Sequence, residues 1–558
     1  MKVVLKKDDR QAISQFTGDI VFLIEELNDI LNDIYVGFYK QKCGYMPKAT
    51  LNFLFDEWLT KNLSYNMEEL KKILEKNYNQ PDISKMVSNL KVVFNNFQNK
   101  DEILTELLVN KRKNIKLDSF IDEFLYKIFK DKIEIFIDQT SIQFVGRFLM
   151  LFVGIDKNAW NMITTPTSIT NRYIHFYWII RNEMYKIIPS IYNLNELDWV
   201  YIPDTIRPSL NVSEIKILDS YEYQLDVYLN NVYSRLNNYD YSNVNSDIWK
   251  SVYQKILPKE QTNKLGFVHT PDEIVDSILD MVGYIENSEN LCNVILLDPA
   301  CGSGTFLVNA LTRLINHLNM DIKCHSIKRG TPEWLIEEKK LKIILNNLHG
   351  IDINPFATFL TTLNLTFMLM DSFSVVHSKN PSFQLDFQIL TNDTLAEKID
   401  IPKLDIFTNA RKTEAIEKML RFSKLLKKKF DIIIGNPPWG IVLKGELGPL
   451  GDESRRIDYK KRFHSAVGKY DIYVLFMERS INLLTDNGVL GFITQIMYLS
   501  QDYGEGIKDI IKEKGSIEIF VDLSTLGKII FPGFTNYPAI TIFKNGEKQK
   551  EIRYIKVT

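Results

Sequence analysis

The sequence predicts an α/β fold: a doubly wound sheet in the second half of the chain, preceded by a half that is mostly α-helical. Three observations point there. Up to about residue 200, Gly and Pro are scarce and apolar residues recur at helical spacing. From Lys255 onward, short apolar runs alternate with amphipathic patterns, as parallel strands joined by crossover helices do. Three of those runs end on an acid, and a fourth ends on Asn436-Pro437-Pro438-Trp439. Polar groups are thereby set at the carboxyl ends of strands, where open α/β sheets bind ligands. The predicted organisation is a helical domain over 1–250 and an α/β domain over 251–558.

In the first half, Ile20, Leu23, Ile24, Leu27, Ile30, Leu31 and Ile34 fall on one helical face. Residues 67–78 and 103–110 repeat the pattern, and 131–154 is denser in apolar residues, as a helix inside the domain would be. The Asn- and Tyr-rich stretch 228–247 reads as a loop or helix–helix connection. Pro203-Asp204 followed by Glu214 and Lys216 matches a loose magnesium-nuclease spacing. Patterns this short arise by chance, and a helical scaffold explains the region without one.

The α/β half opens with Thr270-Pro271-Asp272-Glu273. Thr270 suits a helix N-cap, Pro271 the first helical position, and the two acids the positive end of the helix dipole. A strand at 294–297 runs into Asp298-Pro299-Ala300-Cys301-Gly302-Ser303-Gly304 and a helix over 307–318. The spacing is neither GxGxxG nor a P-loop, so an acid beside a Gly-x-Gly turn suits a ligand with a charged amino-acid moiety better than a phosphate. A second strand around 345–353 ends on Asp352, placed to grip a ribose through its hydroxyls. A third, 387–390, ends in Asn392-Asp393; Asp393 is either a loop acid or an acceptor for an adenine amine. A basic helix over 411–429 carries eight Lys or Arg against two Glu and leads into the strand 430–434.

That strand stops on Asn436-Pro437-Pro438-Trp439. Each proline disfavours the α region for its predecessor, so the backbone stays extended beyond the sheet. The stretch offers an amide, carbonyls outside any ladder and an indole face, which suit a planar nucleobase with an exocyclic amine; the plain alternative is a stiffened loop with a core Trp. A second basic run follows, Arg455, Arg456, Lys460, Lys461 and Arg462, so basic runs lie on both sides of the proposed base pocket, and both are expected to meet phosphates. A helix opens at Gly468-Lys469-Tyr470-Asp471, Asn487-Gly488 turns into a strand over 489–494, and further strands cover 517–523 and 539–543.

The composition is that of an ordinary globular chain of 558 residues, 45% hydrophobic, with a formal net charge of −2. That charge excludes a protein basic overall but not a local basic groove. The four cysteines make no CxxC pair and no metal-ligating cluster, so reduced thiols, a cytoplasmic setting and no metal are expected. The first residues lack a signal-peptide core, and the most apolar window, 144–155, is short and contains Arg147, so no membrane partner is expected.

In their order, DPACGSGTF, GIDINP, ND, NPPW, KYDIYVLFMERS and NGVLGFIT, residues 255–558 closely resemble the catalytic domain of N6-adenine DNA methyltransferases of the gamma motif order, the restriction–modification and phage-defence class. The resemblance implies a Rossmann-like sheet of seven strands with the last antiparallel, S-adenosylmethionine as methyl donor, and double-stranded DNA as partner. It implies cofactor binding by Phe267, Thr270, Asp298, Pro299, Ala300, Cys301, Gly302, Gly304, Asp352, Ile353 and Asp393. Thr270 would hold the methionine carboxylate, Asp298 and its turn the amino-acid end, Asp352 the ribose and Asp393 the adenine amine. It implies catalysis by Asn436, Pro437, Pro438 and Trp439, with the target amine held by the Asn436 amide and Pro437 carbonyl and the flipped adenine stacked on Trp439. Arg455, Arg456, Lys460, Lys461 and Tyr470 are the expected DNA contacts. A second aromatic clamp is sought at Phe534 or Tyr537. Fifteen residues follow Phe543, too few for a target-recognition domain, so a separate subunit or missing segment is expected to supply recognition. Methylation of RNA or protein glutamine, and a non-catalytic DNA-binding role in a defence complex, are the competing readings.

Overall fold

The structure, a computed structural model, describes residues 2–5, 9–40, 72, 75, 76, 130–159, 187–189, 212–242, 244, 270–320, 331–397, 419–440, 453–531, 537–546, 548 and 551–557. In the first half, β1 (Val3–Val4), α1 (Arg10–Lys40), α2 (Lys130–Asp156), α3 (Val212–Leu236) and β2 (Tyr239–Asp240) are seen. The apolar stripe of α1 is buried at Phe16, Ile20, Leu23, Leu27 and Leu31, as its spacing predicts. α1 is pinned to its neighbours by Asn28 donating to Asp138 at 2.6 Å, and by Asn231 donating to Glu26 at 2.7 Å. β1 pairs in parallel with β2.

The connection expected at 228–247 is corrected. Residues 228–236 complete α3, because Tyr228, Leu229, Val232 and Leu236 form a buried face at helical spacing that outweighs the turn preference of the interleaved asparagines. Of the nuclease pattern, Asp204 lies outside the described residues. Glu214 and Lys216 fall in the helix α3, whereas the pattern would need both on a strand. The expected helices at 67–78 and 103–110 also lie outside the described residues.

The second half is built on an eight-stranded sheet. Its strands are β3 (Leu296–Asp298), β4 (Leu348–Asp352), β5 (Gln388–Thr391), β6 (Phe430–Gly435), β7 (Leu484–Gln495), β8 (Gly515–Asp522), β9 (Pro538–Asn545) and β10 (Arg553–Lys556), in spatial order β10-β8-β9-β7-β6-β3-β4-β5. Every neighbouring pair is parallel except β9, which runs antiparallel to β7 and β8. This is the Rossmann-like sheet of the resemblance, with its late antiparallel strand and one strand more: β10 adds itself to the β8 edge. The Asn487-Gly488 turn is present as an irregularity inside β7, where Asn487 takes φ 66° and the register with β6 shifts.

Flanking helices are α4 (Asp272–Met281), α5 (Thr305–Met320), α6 (Glu333–Asn347), α7 (Pro355–His377), α8 (Glu453–Arg462), α9 (Ile472–Leu483) and α10 (Glu505–Lys514). α6 runs through Asn347, so the strand sought from 345 starts at Leu348. α7 is long and apolar enough to cross a membrane by length and composition, yet most of it is buried inside the protein. One side of it meets the sheet and the other meets α2, where Gly146 lies against Phe359 and Leu363. Buried Lys157, just past α2, pairs with Asp371 of α7 and donates to the Ser242 carbonyl. One hydrophobic core therefore runs from α1 through α2 and α7 to the sheet. Cys292 is disulfide-bonded, which corrects the expectation of reduced thiols there; spacing along a chain does not reveal such a pairing. Cys301 is a free, buried thiol.

Candidate active site

The sheet dictates where a ligand can enter. From β3 the chain steps outward through β4 to β5, then returns to the other side of β3 as β6. The strand order reverses between β3 and β6, and the crevice beyond their carboxyl ends is the binding position of open α/β sheets. Asp298 ends β3, and Gly435 ends β6 directly before Asn436. The two ends touch. A Cβ on Gly435 would stand 2.7 Å from Asp298 Oδ1, and Gly435 takes φ 154°, so only glycine fits between the acid and the Asn-Pro-Pro turn.

The turn after β3 is fixed by hydrogen bonds. Gly302 N–H donates to Asp352 Oδ2 at 2.9 Å, and Cys301 N–H to the Ile351 carbonyl at 2.9 Å. Thr361 and Asn364, polar residues within apolar α7, donate to the carbonyls of Gly302 at 2.8 Å and Ser303 at 3.1 Å. Thr394 donates to the Pro299 carbonyl at 2.6 Å. Gly304 takes φ 91° and has no room for a side chain beside Thr361. Asp352 also accepts from Asn354 N–H at 2.8 Å, and Asp393 accepts from Leu395 N–H at 2.9 Å and from the Tyr459 hydroxyl of α8 at 3.2 Å. The three strand-end acids thus stand along one edge, each tied to the loops beside it.

Asp298 differs from the other two. Oδ1 accepts from Ala300 N–H at 3.1 Å, but Oδ2 is buried with no partner among the described residues. Burial, with the Asp352 charge adding to it and the Ala300 N–H opposing, pushes its pKa up to about 8. Burial likewise raises Asp352, against three backbone N–H donors, and raises the Cys301 thiol. The amide nitrogen of Asn392 is also buried without a partner among the described residues. A buried unpaired carboxylate oxygen calls for a cation, and a buried unpaired amide donor calls for an acceptor. These residues fit S-adenosylmethionine, the cofactor that the sequence resemblance implies. Its ammonium would meet Asp298, and Asp352 and the Asn392–Asp393 pair would hold its nucleoside.

On the β6 side, Asn436 is half-buried, Pro437 buried, Pro438 exposed and Trp439 half-buried. Asn436 Nδ2 donates to Thr270 Oγ1 at 3.1 Å. Thr270 is therefore not the helix cap its sequence suggests: Pro271 takes the cap position of α4, and no side chain caps the helix. The Trp439 ring packs edge-on against buried Phe531, centroids 5.0 Å apart. Phe531 is an aromatic wall that sequence reasoning missed; Phe534 lies outside the described residues, and Tyr537 is exposed. Asp471 caps α9 and accepts from Gly440 N–H at 2.8 Å, while Ile472 N–H donates to the Gly440 carbonyl at 3.0 Å. The loop leaving Trp439 is thereby stapled to α9. Burial raises the Asp471 carboxyl.

Tyr470, expected to contact DNA, is 1% exposed and packs in the core beneath α9, so it meets no DNA; the motif beside it is an N-cap, and its tyrosine is the apolar anchor. Lys460 and Lys461 are exposed on α8, at the same end of the sheet as Asp393. The side chains of Arg455 and Arg456, and all of Phe267, lie outside the described residues. In the basic stretch before β6, Arg421 bonds the Phe387 carbonyl, Lys428 meets His349 at 3.0 Å, and Lys429 donates to the Asn482 carbonyl at 2.6 Å. These partners lie before or at the starts of strands β5, β4 and β7, at the far end of the sheet from Asn436. The phosphate-contact reading fails for those three residues, because amphipathic patterning fixes a face and not an end.

With this geometry in hand, three comparisons bear on the chain. A model of the Eco57I restriction-modification methylase family matches residues 346–530. The type II restriction enzyme and methyltransferase RM.Eco57I of Escherichia coli is 26% identical over 55% of this chain and 33% of its own length. The type II methyltransferase M.BstVI of Geobacillus stearothermophilus is 30% identical over 51% of this chain and 43% of its own. The chain thus matches less than half the length of either relative. A solved structure of the Type ISP restriction-modification enzyme LlaGI covers 74% of this chain and 35% of its own, at 18% identity and a TM-score of 0.43. Residues 346–530 thus match the Eco57I restriction-modification methylase family, and the chain is similar to restriction–modification methyltransferases over about half its length.

Proposed function

We propose that this protein transfers a methyl group from S-adenosylmethionine to the N6 amine of an adenine in DNA. The observation that supports the reading is the meeting of two half-sites at the switch point, where the unpaired Asp298 carboxylate lies against Gly435 and Asn436 follows. When bound, the cofactor supplies an electrophilic methyl. The protein's own residues orient. Asn436 Oδ1 and the Pro437 carbonyl accept the N–H bonds of the target amine, which turns its lone pair toward the cofactor side of the crevice. Trp439, backed by Phe531, offers an aromatic face for a base taken out of the stack. Orientation is the main contribution, because the leaving group needs no further activation. Lys460 and Lys461 on α8 supply phosphate contacts at the mouth.

Tritiated methyl transfer to duplex DNA, RNA and protein in parallel tests the substrate class. Label on DNA that disappears in Asn436→Ala supports the reading; label on RNA or protein alone, or label indifferent to Asn436, overturns it. Residual rates in the variant should lie at least about a hundredfold below wild type, as for loss of an electrostatic donor or acceptor at a reacting centre.

A further inference from the structure

The peptide unit between Pro299 and Ala300 is held at both ends. Its carbonyl accepts from the Thr394 hydroxyl at 2.6 Å, and its N–H donates to Asp298 Oδ1 at 3.1 Å. We propose that Thr394 is the positioning residue that orients the Asp298 carboxylate toward the ammonium of the cofactor's amino-acid end. The inference rests on the reading of Asp298 as the acid that meets that ammonium.

The direction of each bond is set by chemistry. A carbonyl oxygen can only accept, and a backbone N–H can only donate. A peptide unit is planar, and with no cis bond among the described residues its C=O and N–H point opposite ways. A donor that holds the Pro299 carbonyl on one side therefore aims the Ala300 N–H to the other, where Asp298 stands. That N–H decides which carboxylate oxygen is spent. Oδ1 takes it and also lies against Gly435, where an added Cβ would stand 2.7 Å away. Oδ2 is left buried with no partner among the described residues. Thr394 and Asp298 are 3% and 1% exposed, so the relay between them is shielded from water.

Thr394 belongs to a different strand end from the acid it serves. It lies 95 positions along the chain from Pro299, in the turn after β5, and its hydroxyl crosses the end of β4 to reach the turn after β3. The β5 turn is itself fixed. Asn392 N–H donates to the Asp352 carbonyl at 2.9 Å, and Ala396 N–H to the Asp393 carbonyl at 3.0 Å. Arg462 of α8 and Arg479 of α9 both donate to the Leu395 carbonyl, at 2.7 Å and 3.1 Å. From the other side, α7 holds Gly302 and Ser303 through Thr361 and Asn364. The peptide that faces Asp298 comes before those two points and is reached from β5. A residue in the nucleoside half of the site thus sets the angle of the acid in the amino-acid half.

The test measures, by calorimetry at one pH, the binding of two ligands to the full chain. S-adenosylhomocysteine carries the amino-acid end; methylthioadenosine has the same nucleoside without it. Thr394→Val keeps the shape and removes the hydroxyl, Thr394→Ala removes it without the branch, and Thr394→Ser keeps it. The Val and Ala variants should bind S-adenosylhomocysteine about fivefold more weakly, the scale of one net hydrogen bond, and methylthioadenosine as tightly as wild type does. The Ser variant should bind both as wild type does. A residue that merely tied the two turns together would weaken both ligands alike. Equal losses on the two ligands, no loss in Val and Ala, or no recovery in Ser each overturns the inference. Asp298→Asn separates the inference from the reading beneath it, since that variant should lose the preference for S-adenosylhomocysteine over methylthioadenosine. A preference that survives Asp298→Asn overturns the reading of Asp298 and the inference with it. A preference lost in Asp298→Asn but unchanged in Thr394→Val overturns the inference alone.

Discussion

The unpaired oxygen of Asp298 sets the strongest constraint at the residue scale. Its pKa, raised from 3.8 to about 8, means that the ligand-free folded protein holds a proton there that the unfolded chain releases. Between those two values the folded state binds the extra proton, so this group's contribution to stability is lost as pH rises from about 4 to about 8. Asp298→Asn should flatten that fall, seen as a smaller drop in melting temperature with pH, while weakening cofactor binding. In the wild type, binding a cation beside Asp298 expels the proton. Affinity for S-adenosylhomocysteine, followed by calorimetry, should rise up to about tenfold per pH unit below neutrality. An affinity independent of pH would show that Asp298 is already ionised. Gly435→Ala sets a methyl group into the Asp298 carboxylate and strains φ. A cost of about 1–3 kcal/mol is expected in unfolding experiments, with weaker cofactor binding alongside it. The placement of Asp298, Asp352 and Asn436 at strand ends was legible in the sequence because each sits where a local apolar run stops. Gly435, Phe531 and the Thr270–Asn436 bond were not, because they depend on which strand ends come together. Tyr470 was misread because a buried and an exposed tyrosine look alike beside a helix cap.

At the element scale, the crevice is lined by what the sheet's order brings to one edge. α4 contributes Thr270 only while Arg313 holds it, and that arginine reaches Asp276, Asp280 and a carbonyl of the loop after α4. Arg313→Leu should raise hydrogen exchange across 272–284 and slow methyl transfer, with a stability loss of about 1–2 kcal/mol because both acids are half exposed. Exchange unchanged in that segment would show that α4 is held without Arg313. The strand–turn–helix order of the α/β half was readable because the strands are short, apolar and punctuated. Its edges were less so. β10 is four residues with a mostly exposed pattern, RYIK, and nothing in its periodicity separates it from a tail. The basic stretch before β6 was assigned to the wrong end of the sheet, since charge spacing along a helix says nothing about where along the strands it lies.

On the scale of the whole molecule, the described parts of the two halves share one core. α2 and α7 meet along Gly146, Phe359 and Leu363, and buried Lys157 reaches across to Asp371. The sequence shows each apolar face but not what it faces. A single calorimetric unfolding transition is expected; two separated transitions would restore independent domains. Asp371→Ala, which strands the Lys157 ammonium in the core, should cost about 1–3 kcal/mol, and adding Lys157→Met should recover most of it, because removing both partners leaves no buried charge unpaired. The central claim is that Asn436 to Trp439, closed against Asp298 and Thr270, methylates the N6 amine of adenine. Mass spectrometry of nucleosides from duplex DNA incubated with the full chain and S-adenosylmethionine tests it most directly. N6-methyldeoxyadenosine formed by wild type and abolished in Asn436→Ala is the expected result; methylcytosine as the product, or N6-methyldeoxyadenosine formed equally by the variant, would contradict it.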